Sequence, residues 1–224
     1  MSLGFYPWES GIDMKWRFLK YKHMNHYITL ARDRDPGMVY QDPNSGDPRV
    51  RYTPSAFDRS HLLTGQLATA RILFMAGAEE IHILTSDVPP FIRRSCLPST
   101  PADSDIKNTD APIPDFHTKS ELEAYAFEKW LSMVRVKGVK VPITAFGNAH
   151  QMGTCRMGTS AESSVVDPTG RVWGVKNLWV CDASVLPSAT GVNPMVTVMA
   201  VADYVAEMVF EEMKSEVGRL SAML

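Results

Sequence analysis

The chain has 224 residues, long enough for one large domain or two small ones with a sizeable core. Its 45% hydrophobic and 21% charged residues are those of a globular protein, and a formal net charge of −2 with scattered Lys and Arg argues against a broad nucleic-acid-binding surface. Three cysteines, Cys96, Cys155 and Cys181, cannot all pair within one chain and show no C-x-x-C spacing, so neither a disulfide framework nor a metal site is expected.

The cysteine usage fits a reducing compartment. The first residues, MSLGFYPWESG, lack the pattern of a signal peptide, and no apolar run approaches the ~20 residues needed to span a bilayer. The last residues, SAML, are not a clear peroxisomal tripeptide. An intracellular location is favoured, and membrane association without a transmembrane segment stays open.

Residues 1–30 are rich in aromatic side chains (Tyr6, Trp8, Trp16, Phe18, Tyr21, Tyr27) without a sustained period. His23 and His26 sit three apart, but no acidic or cysteine partner lies nearby, so they read as surface or packing residues. YITLARD, from Tyr27, reads as a strand. Met38–Tyr40 and Val50–Tyr52 flank the turn-rich QDPNSGDPR, which predicts a hairpin with a long polar loop. Asp58 precedes a helical pattern through Leu62, Gln66 and Leu73, stopped by Gly77. Ile81–Leu84 is a short strand candidate, with His82 on one of its faces.

Prolines cluster between Val88 and Asp115, where regular structure is not expected. Thr118 and Glu121 form a T-x-x-E capping box, and the helix after it places Leu122, Ala126, Trp130 and Val134 near one face before Gly138. The chain then turns apolar and extended through Phe146, delivering His150 from a strand end. Asp167-Pro-Thr-Gly170 suits a type I turn between Val165-Val166 and Arg171–Trp173. Leu178–Cys181 is a continuous apolar run ending at Asp182, the pattern of a buried parallel strand. Asn193 and Pro194 open the last helix as N-cap and first helical residue; Met195, Val198, Met199, Ala202, Val205 and Val209 repeat along it at helical spacing.

His150 through Asn193 concentrates turn-forming and titratable residues in one supersecondary unit. The start of the last helix offers free N–H groups and partial positive charge, a seat for an anion or for charge developing in a reaction. The run ending in Asp182-Ala183-Ser184 has small residues that allow a ligand close to the backbone. A histidine base facing a helix N-terminus is a plausible reaction centre; an inert strand–turn–helix is the competing reading. A nucleophilic Cys155 paired with His150 is weaker, because nothing in the sequence activates the thiol.

AHQMGTCRMG, VVDPTGRVWGVKNLWVCDAS and GVNPMVTVMAVAD together resemble the carboxyl-terminal part of the glucose–methanol–choline (GMC) flavin oxidoreductases, and the wording is most similar to that of long-chain fatty alcohol oxidases. The resemblance is specific over Ala149–Val205 and softer over Arg32–Ala78. It implies an α/β fold: an α+β substrate domain plus the last strand and helix of an FAD-binding Rossmann-like domain. The implied divisions are an unassigned aromatic segment (1–30), part of the substrate domain with a proline-rich excursion at 88–115 (31–149), an active-site and FAD-binding segment (150–213) and a tail (214–224).

The activity implied is oxidation of a primary, long-chain alcohol to an aldehyde with hydride transfer to FAD. The catalytic histidine of the family corresponds to His150 and its second active-site position to Asn193. An unperturbed histidine titrates near ~6.5, so a neutral imidazole would be present at physiological pH to take the hydroxyl proton. Asn193 would orient the hydroxyl. Asp182 and Ala183 match positions near the ribityl and diphosphate, and Pro194, Met195 and Val196 match positions near the flavin pyrimidine. The G-x-G-x-x-G that cradles a dinucleotide does not occur in this sequence. The chain therefore reads as a portion of a larger enzyme, with a truncated, non-catalytic binding module as the alternative.

Overall fold

Local signals set most of the helices and turns, and the packing shows which of them reach a core. A computed structural model describes residues 8–85, 87–93 and 118–222; Tyr6, Cys96 and most of the proline-rich stretch lie outside the described residues. The described chain has mixed α/β structure and falls into two compact units. One comprises Met1–Thr29 and Arg59–Gly147, the other Leu30–Asp58 and Asn148–Leu224.

The first unit carries α1 (Gly11–Lys20), most of α2 (Ala56–Met75), the two-residue strands β3 (Glu80–Ile81) and β4 (Phe91–Ile92), and α3 (Lys119–Lys137). The capping box forms as expected: Thr118 Oγ1 accepts from the Glu121 N–H at 3.2 Å, and the Glu121 carboxylate accepts from the Thr118 N–H at 3.1 Å. Gly138, with φ +64°, ends α3. The buried side of α3 is centred slightly differently from the sequence pattern, on Phe127, Trp130, Leu131 and Val134, with Leu122 and Ala126 half-buried.

These residues meet Ala70, Ile81, Val88 and Phe91 in one core. Phe74 stacks on Phe127 with ring centroids 4.1 Å apart, and Phe91 meets both edge-on at 5.8 and 5.2 Å. Arg93 closes the end of α2. Its guanidinium donates to the carbonyls of Phe74 and Ala78, pairs with Glu123 at 2.9 Å and lies over the Phe74 ring. The expected strand at Ile81–Leu84 is shorter and begins earlier, since only Glu80 and Ile81 find partners, in Ile92 and Phe91. His82 lies beyond that pairing. Further along, 141–143 form a turn and Thr144 makes one isolated bridge to Thr85, so no strand delivers His150.

The second unit begins with residues expected to form a strand. Tyr27–Asp33, which straddles the division, has no ladder partner and is irregular. The expected hairpin forms with a shorter loop: β1 (Met38–Gln41) pairs antiparallel with β2 (Pro48–Arg51) from Met38↔Arg51 to Gln41↔Pro48, so Gln41, Pro48 and Arg49 belong to the strands and Tyr52 does not. Asp42 holds its loop by accepting from the N–H groups of Asn44 and Ser45 and from Arg49. Asp58 does not precede its helix. Ser55 does, accepting from the Asp58 N–H at 3.1 Å, while the buried Asp58 carboxylate accepts from the Ser55 hydroxyl and the Arg34 N–H. Burial, together with Asp33 to which it is hydrogen-bonded, pushes the Tyr52 phenol far above its ordinary range.

The remainder of this unit packs 148–193 on α4 (Met195–Ala222) around buried Val166, Val185, Leu186 and Val205. The Asp167–Gly170 turn forms, with Gly170 N–H donating to Asp167 O at 3.0 Å and Asp167 Oδ1 accepting from Thr169 and Arg171. Val166 and Val172 bridge across it. Leu178–Cys181 is not a buried parallel strand. It makes a single antiparallel bridge, Arg171↔Trp179, and both Leu178 and Cys181 are exposed. Along α4 the inward stripe is Val198, Ala202, Val205 and Val209, while Met195 and Met199 face solvent with Phe210, Met213 and Val217.

Gly170 is where the turn meets α4. A Cβ there would lie 2.7 Å from a methyl carbon of Val205 and 3.0 Å from the Val180 carbonyl, and φ is +84°. Gly174 has a similar φ of +72° but open space around it. Both Ala substitutions strain the backbone, and only Gly170→Ala also overpacks the core. Gly170→Ala is therefore expected to lower the urea midpoint further than Gly174→Ala, by the equivalent of about 1–3 kcal/mol; equal losses would show that the Val205 contact is dispensable.

Candidate functional site

His150 follows an irregular segment in which Asn148 Oδ1 accepts from the His150 N–H at 3.1 Å and Asn148 O accepts from the Gln151 side chain at 3.4 Å. This local turn sets the start of the HQMG stretch. The imidazole is half-buried, and no described residue hydrogen-bonds its ring. Gly153 then adopts φ +86°, a conformation costly for a side-chain-bearing residue. Its missing Cβ would lie 3.2 Å from the Leu186 carbonyl.

Past Gly153 the backbone runs alongside the turn at Ala183–Val185. Gly153 N–H donates to Ala183 O at 3.4 Å, Cys155 N–H to Ser184 O at 2.9 Å and Met157 N–H to Val185 O at 2.8 Å. Three consecutive alternate residues thus bind three consecutive carbonyls, so the segment carrying His150 is fixed to the one carrying Asp182 and Ala183. Cys155 contributes its backbone here; its thiol is free.

Asp182 caps the Ala183–Val185 turn by accepting from the Ser184 N–H at 2.7 Å. The Ser184 hydrogen bonds hold the Asp182 carboxyl below its ordinary value, with a smaller opposing effect from burial. One carboxylate oxygen is thereby committed to structure. From Leu186 the chain crosses a loop braced by Arg32, whose guanidinium donates to Ser188 Oγ at 3.1 Å and whose stem lies against Gly191. Thr190 Oγ1 donates to the Val192 carbonyl at 2.6 Å immediately before Asn193.

Asn193 is exposed and Pro194 is buried. The first helical bond of α4 runs from the Val198 N–H to the Pro194 carbonyl at 2.8 Å. Pro194 therefore occupies the capping position and Asn193 stands one residue outside the helix, a shift of one place from the expected arrangement. The N–H groups of Met195, Val196 and Thr197 precede that bond and have no helical acceptor. The Met195 and Val196 side chains face solvent.

The site residues thus fall into two connected groups. His150 is tied to Asp182–Ala183 through the backbone ladder, while Asn193, Pro194, Met195 and Val196 form the entry to α4. No hydrogen bond joins His150 to Asn193. Two contributors escaped the reading by motif: Gly153 and Arg32. A glycine two places after the HQ pair was the available signal for the first; nothing local marks Arg32, whose partner lies 156 residues away.

Comparison with known proteins places this arrangement. Residues 28–202 match the family model described as GMC oxidoreductase. The chain belongs to the GMC oxidoreductase family. It is 36% identical over 196 residues to the long-chain-alcohol oxidase FAO3 of Arabidopsis thaliana, covering 88% of this chain and 23% of that protein. The long-chain-alcohol oxidase FAO1 of the same plant is 35% identical, with 93% and 24% covered. Among solved structures, pyridoxine 4-oxidase from Mesorbium loti matches 80% of this chain and 28% of its own, with 22% identity and a TM-score of 0.44. The chain thus spans about a quarter of the length of the curated relatives it matches.

Members of this family are oxidoreductases that in general depend on FAD. The residues present fit one part of such a cofactor: unpaired N–H groups at the head of a 28-residue helix suit an electron-rich ring edge or an anion. Residues for the dinucleotide end are not in this sequence, which has no G-x-G-x-x-G.

The Asp182 cap has a defined pH dependence. A carboxyl whose folded pKa is depressed stabilises the fold above its unfolded pKa and loses that contribution as pH falls through the folded value. The stability due to Asp182 is therefore expected to be complete above about pH 4 and to decline below it. Urea midpoints measured for wild type and Asp182→Asn should differ at neutral pH and converge in acid; a constant difference would exclude the ionised cap.

Proposed function

We propose that this chain supplies the catalytic segment of an FAD-dependent oxidase or dehydrogenase that converts a primary, long-chain alcohol to an aldehyde. The observation that carries this reading is the ladder from Gly153, Cys155 and Met157 to Ala183–Val185, which fixes the His150 stretch against the Asp182–Ala183 turn. The long-chain alcohol as substrate is suggested by the names of the Arabidopsis relatives.

In this mechanism His150 accepts the proton of the substrate hydroxyl as the C–H bond of the carbinol carbon breaks. The aldehyde C=O forms from the electron pair left by the departing proton. Flavin, when bound, supplies the acceptor for the hydride that leaves the same carbon. Asn193 donates its carboxamide N–H to the hydroxyl oxygen, orienting it and stabilising its alkoxide character. Asp182, Ala183 and Pro194 would lie on the side that holds the cofactor, and the N–H groups of Met195 and Val196 would favour negative charge gained by its ring. The backbone three positions after His150 could not lie so close to the Leu186 carbonyl if Gly153 carried a side chain.

His150→Gln in the FAD-loaded protein is expected to slow anaerobic reduction of the flavin by a long-chain alcohol by about 10²–10⁴-fold, with flavin content unchanged. Reduction at the wild-type rate would remove His150 from its role as base.

The absent G-x-G-x-x-G favours a second reading, a non-catalytic binding module. The visible absorbance of the purified 224-residue chain separates the two. A stoichiometric flavin band supports the catalytic reading for this chain, and a colourless protein that binds alcohol supports the module.

A further inference from the structure

Leu186 and Pro194 are buried, but no residue between them is. Nor does any residue of 187–193 make a backbone–backbone hydrogen bond to a described residue. Two side-chain bonds hold this loop. Thr190 Oγ1 donates to the Val192 carbonyl at 2.6 Å, within the loop itself. The other comes from outside: Arg32 Nη2 donates to Ser188 Oγ at 3.1 Å. Among the described residues, Arg32 is therefore the one residue elsewhere in the chain that hydrogen-bonds 187–193.

Arg32 holds the loop at two places. Its guanidinium reaches Ser188, and its stem runs along Gly191, where a Cβ would lie 3.1, 3.7 and 3.8 Å from Cβ, Cγ and Cδ of Arg32. A grip on residues 188 and 191 together fixes both where the loop lies and which way it turns. The grip has a firm base. Two positions on, the Arg34 N–H donates to Asp58 Oδ1 at 3.1 Å, and the buried Asp58 carboxylate also accepts from the Ser55 hydroxyl at 2.8 Å. Asp33 is hydrogen-bonded to Tyr52. A segment with no ladder of its own is thereby tied to the first turn of α2, and Arg32 projects from it. Arg34 pairs with Asp35 at 2.8 Å, whereas Arg32 makes no ion pair with a described residue, so no carboxylate among them competes with Ser188 for its guanidinium.

Asn193 ends this loop. It makes no hydrogen bond to a described residue, and Pro194 behind it is buried at the cap of α4. The carboxamide is aimed by what fixes the backbone on either side of it, Pro194 and the grip of Arg32. We propose that Arg32 is a positioning residue for alcohol oxidation, acting through the 188–191 backbone to set the orientation of the Asn193 carboxamide on the substrate hydroxyl. The inference rests on the role proposed for Asn193. Arg32 itself takes no part in proton or hydride transfer; it holds the group that does the orienting, where a small misplacement costs rate.

The test has one arm without flavin and one with it. In the 224-residue chain, thermolysin cleavage of the Gly191–Val192 bond, followed by mass spectrometry, reads how often the loop opens. Arg32→Met and Ser188→Ala should each speed that cleavage about three- to tenfold at an unchanged urea midpoint, and the double variant should be cut no faster than either single one. Arg32→Lys, which keeps a donor on a long stem, should restore much of the resistance. In the FAD-loaded protein, Arg32→Met and Ser188→Ala should slow flavin reduction at saturating long-chain alcohol about tenfold, with the half-saturating alcohol concentration and the flavin content nearly unchanged. Arg32→Met added to Asn193→Ala should cause no further loss. Cleavage at the wild-type rate in Arg32→Met overturns the proposal. So does a silent Ser188→Ala beside an impaired Arg32→Met, which would make the charge act on its own, and so do multiplying losses for Arg32→Met and Asn193→Ala. A wild-type flavin that the alcohol leaves oxidised would instead overturn the oxidation reading, and is told apart by cleavage that still quickens in Arg32→Met.

Discussion

Everything attributed to the candidate site depends on three backbone hydrogen bonds. The N–H groups of Gly153, Cys155 and Met157 reach the carbonyls of Ala183, Ser184 and Val185, joining two stretches some thirty residues apart in the chain. Neither stretch is a strand or an α-helix; Ala183–Val185 is a single 3-10 turn, closed by Val185 N–H to Asp182 O and Leu186 N–H to Ala183 O, both at 3.2 Å. Each becomes ordered by satisfying the other, as buried backbone groups must. The bonds are anchored at one end by Gly153, whose φ of +86° and lack of a Cβ allow the approach to Leu186, and at the other by the fully buried Val185. The site is thus built on irregular backbone, and its rigidity comes from mutual pairing and packing.

The same economy recurs below it. Gly170 lets a tight turn press on Val205, and Arg171 pairs with Glu212 at 2.9 Å farther along α4. Turn and helix therefore touch at two points roughly two helical turns apart, which fixes direction as well as distance. Since α4 opens at Asn193–Val196, a helix held in this way also sets where its exposed N–H groups lie. Family membership gives this geometry its chemical meaning; the backbone alone would suit an anion of many kinds.

The sequence was most informative where structure is decided by neighbours in the chain. The Thr118–Glu121 capping box, the Asp167–Gly170 turn and the hairpin centred on QDPNSGDPR each depend on side chains bonding a backbone group within a few residues. Expectations failed where a partner had to come from far away. Leu178–Cys181 and Tyr27–Asp33 have the composition of strands, yet a strand exists only when a neighbour offers its N–H and C=O groups. Trp179 finds one bridge and Tyr27–Asp33 none. Likewise His150 and Asn193 were legible as residue types in motifs, whereas Arg32 could be linked to Ser188 only in three dimensions. The helix start at Ser55 in place of Asp58 is a smaller difference of a local kind: the Ser55 hydroxyl accepts from the Asp58 N–H and donates to the Asp58 carboxylate.

The outer side of α4 has a further consequence in redox terms. Three of its exposed apolar side chains, Met195, Met199 and Met213, are thioethers. Unlike Phe210 or Val217 beside them, they change character on mild oxidation: a sulfoxide is polar, chiral and a strong acceptor, where the thioether is apolar and pliable. Two of the three lie in the first two turns, close to the unpaired N–H groups of the helix. How apolar this face is, and what it presents beside those donors, is therefore set by the oxidation state of the chain as well as by its sequence.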